Sequence, residues 1–145
     1  MNLSEIQALW DKDSVIDNSQ LDVESLKIAQ LHSKYFKIFS AERYRYKQME
    51  GEFRKLELEK YEFYTNGPTE DQYNNGWKMP AKGRIIKQEV DKYMQADQDI
   101  IDAGLKLYYQ KEKLEVLESI ITSLNSRSFN IKNCLDYIRW AHGGN

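Results

Sequence analysis

The chain has 145 residues, the length of one domain, and a compact fold of that size buries about 70 % of the surface exposed by the unfolded chain. Charged residues make up 30 % and hydrophobic residues 41 %, with 21 lysines and arginines against 23 aspartates and glutamates, a formal net charge of −2. That balance excludes a basic tail or an acidic solvating segment spread over the whole chain, so any polyanion contact has to come from a local patch.

The one cysteine, Cys134, excludes an intrachain disulfide and suits a reducing compartment. No apolar run reaches about 18 residues and no basic-then-apolar amino terminus is present, so neither a membrane span nor a secretory signal is expected. Ten tyrosines supply much of the aromatic content, and tyrosine commonly keeps its hydroxyl in water or against a partner.

In chain order, Leu3, Ile6, Leu9 and Trp10 share one broad face and predict a short opening helix, which ends in a polar connector around Asp11, Asp13 and Asp17. Ser19 with Asp22 gives a capping-box-like start to a second helix. From there to Thr65 no proline intervenes, and Ile28, Leu31, Tyr35 and Ile38 recur at spacings of three, four and three. The stripe resumes after Glu42 at Tyr46, Met49, Phe53, Leu56 and Phe63 or Tyr64, predicting a helix of about 60 Å if continuous, with Gly51 as its expected bend. So long a stripe exceeds what a small helical hairpin needs and is expected to meet another long helix or another subunit.

Residues 66–83 change character. Pro68, Pro80, Gly67, Gly76 and Gly83 predict a flexible connector, while Tyr73, Trp77 and Met79 imply that it packs against something. A second long helix is expected over 85–124, its apolar face carried by Val90, Tyr93, Ile100, Leu107, Leu114, Leu117, Ile121 and Leu124, with Gly104 within it. Ser126 to Ser128 are expected to interrupt it before a terminal helix at about 128–141, and Gly143 and Gly144 predict a frayed end. The predicted fold is all-α: two long amphipathic helices joined by a Gly/Pro-containing loop, with shorter terminal helices, forming a helical oligomer as a single domain over 1–145. Ile28, Leu31, Ile38, Met49, Phe53, Leu56, Leu114, Leu117, Ile121 and Leu124 are its expected interface positions.

The most informative patch runs from Lys34 to Lys47. Lys34, Lys37, Arg43, Arg45 and Lys47 stand against one acid, Glu42, and interleave with Tyr35, Phe36, Phe39, Tyr44 and Tyr46. Cations meet backbone phosphates without a base code, and aromatic planes stack on unpaired bases, so this combination suits a single strand. A solvated basic face over an aromatic helix interface is the other reading. Arg54, Lys55 and Lys60 extend the basic surface among Glu50, Glu52, Glu57, Glu59 and Glu62. Arg127, Lys132 and Arg139 form a second basic group near the carboxyl end, with solvation of that helix as their alternative role.

Enzymatic signatures are poor. His32 and His142 are far apart, Cys134 lies on an amphipathic stretch, and Asp97, Asp99 and Asp102 do not share one close helix face. Neither a phosphate loop nor an acid/base constellation appears, so no catalytic residue, metal or cofactor is expected.

Several stretches occur in an order known from one protein family. Trp10-Asp11-Lys12-Asp13-Ser14-Val15-Ile16-Asp17 matches the family's polar, Val/Ile-containing passage before its long helix, and His32-Ser33-Lys34-Tyr35 occupies its tyrosine-serine-lysine-tryptophan-like region. Leu58-Glu59-Lys60-Tyr61-Glu62-Phe63-Tyr64-Thr65-Asn66-Gly67 resembles the family's basic segment leading to paired tyrosines and a glycine, with Leu58 standing at a position that is basic in the family. Ala96-Asp97-Gln98-Asp99-Ile100 is similar to an Ala-Asp-Lys-Asp-Val helix. Ser126-Arg127-Ser128-Phe129-Asn130-Ile131-Lys132-Asn133 is similar to a Ser-Arg-Gly-Phe-Ala-Ile-Lys-His segment, with Ser128 in place of the glycine.

Together these stretches resemble the UvsY family of bacteriophage recombination mediators, and the resemblance implies a homo-oligomeric mediator in DNA recombination, repair and replication that binds single-stranded DNA, with Lys60 and Tyr64 joining the strand-binding residues. Its implied partners are a recombinase and a single-strand-binding protein, and its implied action is to promote recombinase filament assembly on strands which that protein covers. The implied location is the cytoplasm of the infected bacterial host cell. A non-enzymatic phage structural or adaptor protein, with long helices and no DNA contact, is the alternative.

Overall fold

A computed structural model describes residues 1–143, so the Gly144 half of the expected frayed end lies outside the described residues. The order of elements is α1 (Leu3–Asp13), α2 (Leu21–Asn66), α3 (Glu70–Asn74), α4 (Val90–Gln95) and α5 (Gln98–Ala141), with no strand among the described residues. The all-α class and the two long helices agree with the sequence. Their residues divide between two compact units, one built from Met1–Tyr44 with the chain from Gln110 onward, the other from Arg45–Tyr109.

In the first unit, α1 starts on a reciprocal cap: Glu5 N–H donates to Asn2 Oδ1 and Asn2 N–H to Glu5 Oε2, both at 2.8 Å. Ile6, Leu21, Tyr35, Phe39, Leu114, Leu117, Ile120, Leu124 and Ile131 form the core. Leu114, Leu117 and Leu124, expected at an interface between subunits, are therefore committed to the chain's own interior, Leu117 and Leu124 with 0 % exposure. The apolar spacing located the inward face of α5 and assigned it the wrong partner. Ile28, Leu31, Ile38 and Ile121 are half-buried in this unit, as are Met49, Phe53 and Leu56 in the other.

α2 runs through Gly51 without a break and ends where Gly67, at φ +92°, turns the chain and donates its N–H to the Phe63 carbonyl. In the second unit Phe63, Tyr64, Ile85 and Val90 form a small core, with Trp77, Met79 and Tyr93 packed on it. The connector carries α3 and is tied down by Trp77, whose ring meets Phe63 edge-on at 5.3 Å, and by the Ile85 N–H, which donates to the Tyr64 carbonyl at 2.8 Å.

Two expected boundaries differ. The second long helix starts at Gln98 rather than near 85, because the Asp97 carboxylate accepts the Ile100 N–H at 3.1 Å and caps it. The break at Ser126 to Ser128 is absent: α5 continues to Ala141, the Ser126 hydroxyl folding back to the Thr122 carbonyl, while Arg127 and Ile131 on either side of Ser128 are buried. Among the described residues no helix is long and apolar enough to cross a membrane.

Candidate nucleic-acid interface

In the first unit, α2 sorts the patch seen in the sequence into an inner and an outer face. Tyr35 and Phe39 are core. Glu42, the one acid of the patch, also turns inward: Gln110 Nε2 donates to its carbonyl at 2.9 Å and to its carboxylate at 2.6 Å, and Lys113 Nζ lies 3.0 Å from it. Burial pushes the Glu42 carboxyl up, but the hydrogen bonds from Gln110 and Lys113 and the nearby positive charges outweigh it and hold the group below the usual carboxylate range. With that acid withdrawn, Phe36, Lys37, Arg43 and Tyr44 remain together on the outer face, since residues seven apart on a helix nearly coincide in angle.

All four of these side chains are exposed. Phe36 stacks on His32 at 6.1 Å, and the Arg43 guanidinium lies 5.2 Å from the centre of the Phe39 ring. Neither Lys37 nor Arg43 has an ion-pair partner among the described residues. Lys34 is different, held 2.6 Å from Asp13, which also accepts the Tyr35 hydroxyl at 2.8 Å. Lys132 and Arg139 are exposed on the last turns of α5.

Arg127, expected to touch DNA, is instead buried. Its guanidinium donates to the Asp13 and Ser14 carbonyls at 3.4 and 3.2 Å and lies 5.4 Å from the centre of the Trp10 ring. The last carbonyls of α1 have no helical partner, and a cation there satisfies them and suits the helix dipole.

In the second unit Arg45, Arg54 and Lys55 are exposed, while Lys47 pairs with Glu50 at 3.2 Å. Lys60 and Tyr64 are withdrawn from solvent. Lys60 Nζ is 3.1 Å from Asp97 and 2.8 Å from Asp99 and sits 3.7 Å from the centre of the Trp77 ring; the Tyr64 hydroxyl donates to Asp97 at 2.6 Å. Both therefore correct the strand-contact assignment: their polar groups are spent on joining α2 to the start of α5. Of the aspartates considered as metal ligands, Asp97 and Asp99 are these ion-pair partners and Asp102 accepts from Gln98 Nε2 at 2.7 Å; among the described residues no group of histidine, cysteine and carboxylate side chains is arranged to hold a metal.

Burial likewise raises the Asp97 carboxyl, yet hydrogen bonds from Tyr64, Lys60 and the Ile100 N–H bring it below its ordinary 3.8. Asp13, with bonds from Lys34 and Tyr35 outweighing its burial, is lowered too. A carboxyl whose folded pKa is depressed contributes stability that is complete above its unfolded value and disappears as the pH falls through the folded one. The urea midpoint is thus expected to be level above about pH 5 and to drop steadily below about pH 4; a midpoint unchanged down to about pH 3 would contradict these pairings.

Two long helices, a tied-down connector and an outer face of unpaired cations beside aromatic planes define a helical protein suited to holding a flexible polyanion. The chain belongs to the UvsY family: the family model of the recombination, repair and ssDNA binding protein UvsY matches residues 9–144. Crystal structures of the bacteriophage T4 recombination mediator protein UvsY are similar throughout. One, in lattice type II, is 25 % identical, covers 99 % of each chain and superposes with a TM-score of 0.79. Another, in lattice type IV, is 21 % identical, with 97 % of this chain and 99 % of that one covered and a TM-score of 0.78. A third, in lattice type I, is 22 % identical, with 94 % and 98 % covered and a TM-score of 0.78. No curated protein matches the chain.

Proposed function

We propose that the chain is a non-enzymatic recombination mediator that binds single-stranded DNA and promotes assembly of a recombinase filament on strands covered by a single-strand-binding protein. Family membership supports the class, and the outer face of α2 carries the chemical reading, because it joins unpaired cations to exposed rings: Lys37 and Arg43 meet phosphates while Phe36 and Tyr44 stack on bases. A duplex hides its base faces, so this face favours an unpaired strand.

Mediation also needs several strand contacts at once, and self-association supplies them. The last turns of α5 leave Phe129, Leu135, Tyr137, Ile138 and Trp140 exposed, Trp140 at 77 %. Apolar side chains at that density suit a partner surface better than water, and a further copy of the chain is the partner proposed for them. Residues 1–145 act in this reading as one mediator domain, in the cytoplasm of the infected bacterial host.

The double substitution K37Q/R43Q tests the strand face. Both side chains are exposed and lack ion-pair partners, and glutamine is a good helix former, so helical content should be retained. Removing two phosphate contacts should lower affinity for a homopolymeric single strand roughly tenfold near physiological salt and flatten the salt slope by about 1.4. Unaltered chain that self-associates but shows no salt-dependent strand binding would favour the adaptor reading instead.

A further inference from the structure

We infer that the connector of the second unit forms a separate strand-binding subsite, which takes one unpaired nucleobase in a groove against α2 and its flanking phosphates on Lys78, Arg84 and Lys87. This rests on the single-stranded DNA reading and uses residues of a different unit from that of Phe36 and Arg43.

Between Asp71 and Glu89 the connector holds Lys78, Lys82, Arg84 and Lys87 and no acid. Lys82 is occupied: it donates to Glu89 at 2.7 Å and lies 5.4 Å from the centre of the Tyr93 ring. The other three are exposed and have no ion-pair partner among the described residues. Three exposed cations without an acid between them give this short segment a local positive charge that the chain's net charge of −2 conceals, and a phosphate backbone offers a row of complementary charges.

The segment is also held in place. Ile85 and Val90 are buried, the Ile85 N–H is bonded to α2, and Gly83, at φ +85°, makes the turn that precedes Arg84. Arg84 itself lies over the end of α2, where a Cβ added at Gly67 would come within 3.6 Å of its Nε. A fixed loop loses little conformational freedom on binding, so its cations act at small entropic cost.

Of these cations Lys87 lines a groove of about 580 Å³, with Leu58, Tyr61 and Glu62 contributed by α2 and Ile86, Lys87 and Gln88 by the connector. Leu58 and Ile86 are 59 % and 61 % exposed, so two branched apolar side chains of its lining stand in water. Placing a flat base between them removes both from solvent, and Tyr61 adds an aromatic surface. Gln88 offers a donor and an acceptor, and Glu62 an acceptor, to a base edge left free by the absence of a complementary strand. Lys87, in the same lining, is placed to meet the phosphate of the inserted nucleotide.

The test uses the full chain and fluorescent oligothymidine, with an abasic strand of equal length carrying the same phosphates and no bases. The triple substitution K78Q/R84Q/K87Q should weaken oligothymidine binding at least tenfold and flatten the salt slope by about 2. L58S/I86S should weaken oligothymidine binding several-fold, leave the salt slope in place and leave the abasic strand unaffected. A thymidine strand carrying 5-iodouracil should crosslink on irradiation to Tyr61 in the unaltered chain, a readout that does not depend on any variant folding. If the unaltered chain binds oligothymidine while the triple variant keeps its affinity and slope, or crosslinks fall only on Phe36 and Tyr44, the subsite is overturned and the outer-face reading stands. Failure of the unaltered chain to bind any single strand would overturn both.

Discussion

Substituting Leu135, Ile138 and Trp140 together by glutamine is expected to turn an oligomer into a folded monomer and to lower strand affinity by about 100-fold or more, because multivalent attachment multiplies weak contacts by that order. These side chains are exposed in the single chain, so their loss removes little from its own core. Leu117→Asp provides the contrast. With 0 % exposure, Leu117 lies in the core of the first unit, and a buried, unpaired carboxylate there should unfold that unit instead of separating subunits. Native mass and far-ultraviolet circular dichroism distinguish the two outcomes. A triple variant that keeps the native mass of the unaltered chain would remove the last turns of α5 from the interface.

Lys60→Gln carries the largest expected effect on stability. Its ammonium is paired with two carboxylates and rests on an indole, and removing one partner of a buried pair costs about 3–5 kcal/mol, since the remaining charge is left without compensation. The contact with Asp99 contributes the smaller share because that carboxylate is half exposed to water. Asp97 would keep the Tyr64 hydroxyl and the Ile100 N–H but lose its counter-charge at the cap of α5. A urea midpoint close to that of the unaltered chain, combined with a lost salt slope for strand binding, would return Lys60 to the strand-contacting residues. The expected result is the reverse: a markedly lower midpoint, and strand affinity close to normal at low temperature wherever the variant remains folded.

These two cases show what was legible in the sequence. Helical spacing reports which side of a helix is apolar, so the stripe of Leu114, Leu117 and Leu124 identified an inward face correctly. Spacing does not report what covers that face, and the partner proved to be the same chain. Charge is harder still. Lys60 meets Asp97 and Asp99 across 37 and 39 positions, and Arg127 meets Asp13 and Ser14 across 114 and 113, so nothing local distinguishes them from Lys37 or Lys132, which stay in water. The withdrawal of Glu42 from the basic patch has the same cause, since its partners Gln110 and Lys113 lie on the other long helix.

Glycines and prolines mark 66–83 as a connector, but they carry no information on what Lys78, Lys82, Arg84 and Lys87 meet. The available signal was the absence of any acid between Asp71 and Glu89, which compositional averaging over the chain conceals. The start of α5 at Gln98 is not legible in the sequence for a related reason. Apolar periodicity through Val90 and Tyr93 runs across Asp97, whose capping role depends on one side-chain bond. The order of motifs from Trp10 to Asn133 does identify the family, because order along the chain is preserved even when each motif has drifted.

The central claim is that this chain places a recombinase on single-stranded DNA already covered by a competing protein. Its most direct test is the time course of recombinase filament formation on strands saturated with a single-strand-binding protein, with the chain added at concentrations that saturate its own strand binding. The account predicts that the unaltered chain shortens or abolishes the lag, while K37Q/R43Q and the monomeric variant at Leu135, Ile138 and Trp140 do so weakly. A lag unaffected by unaltered chain that is demonstrably bound to the strand would contradict it.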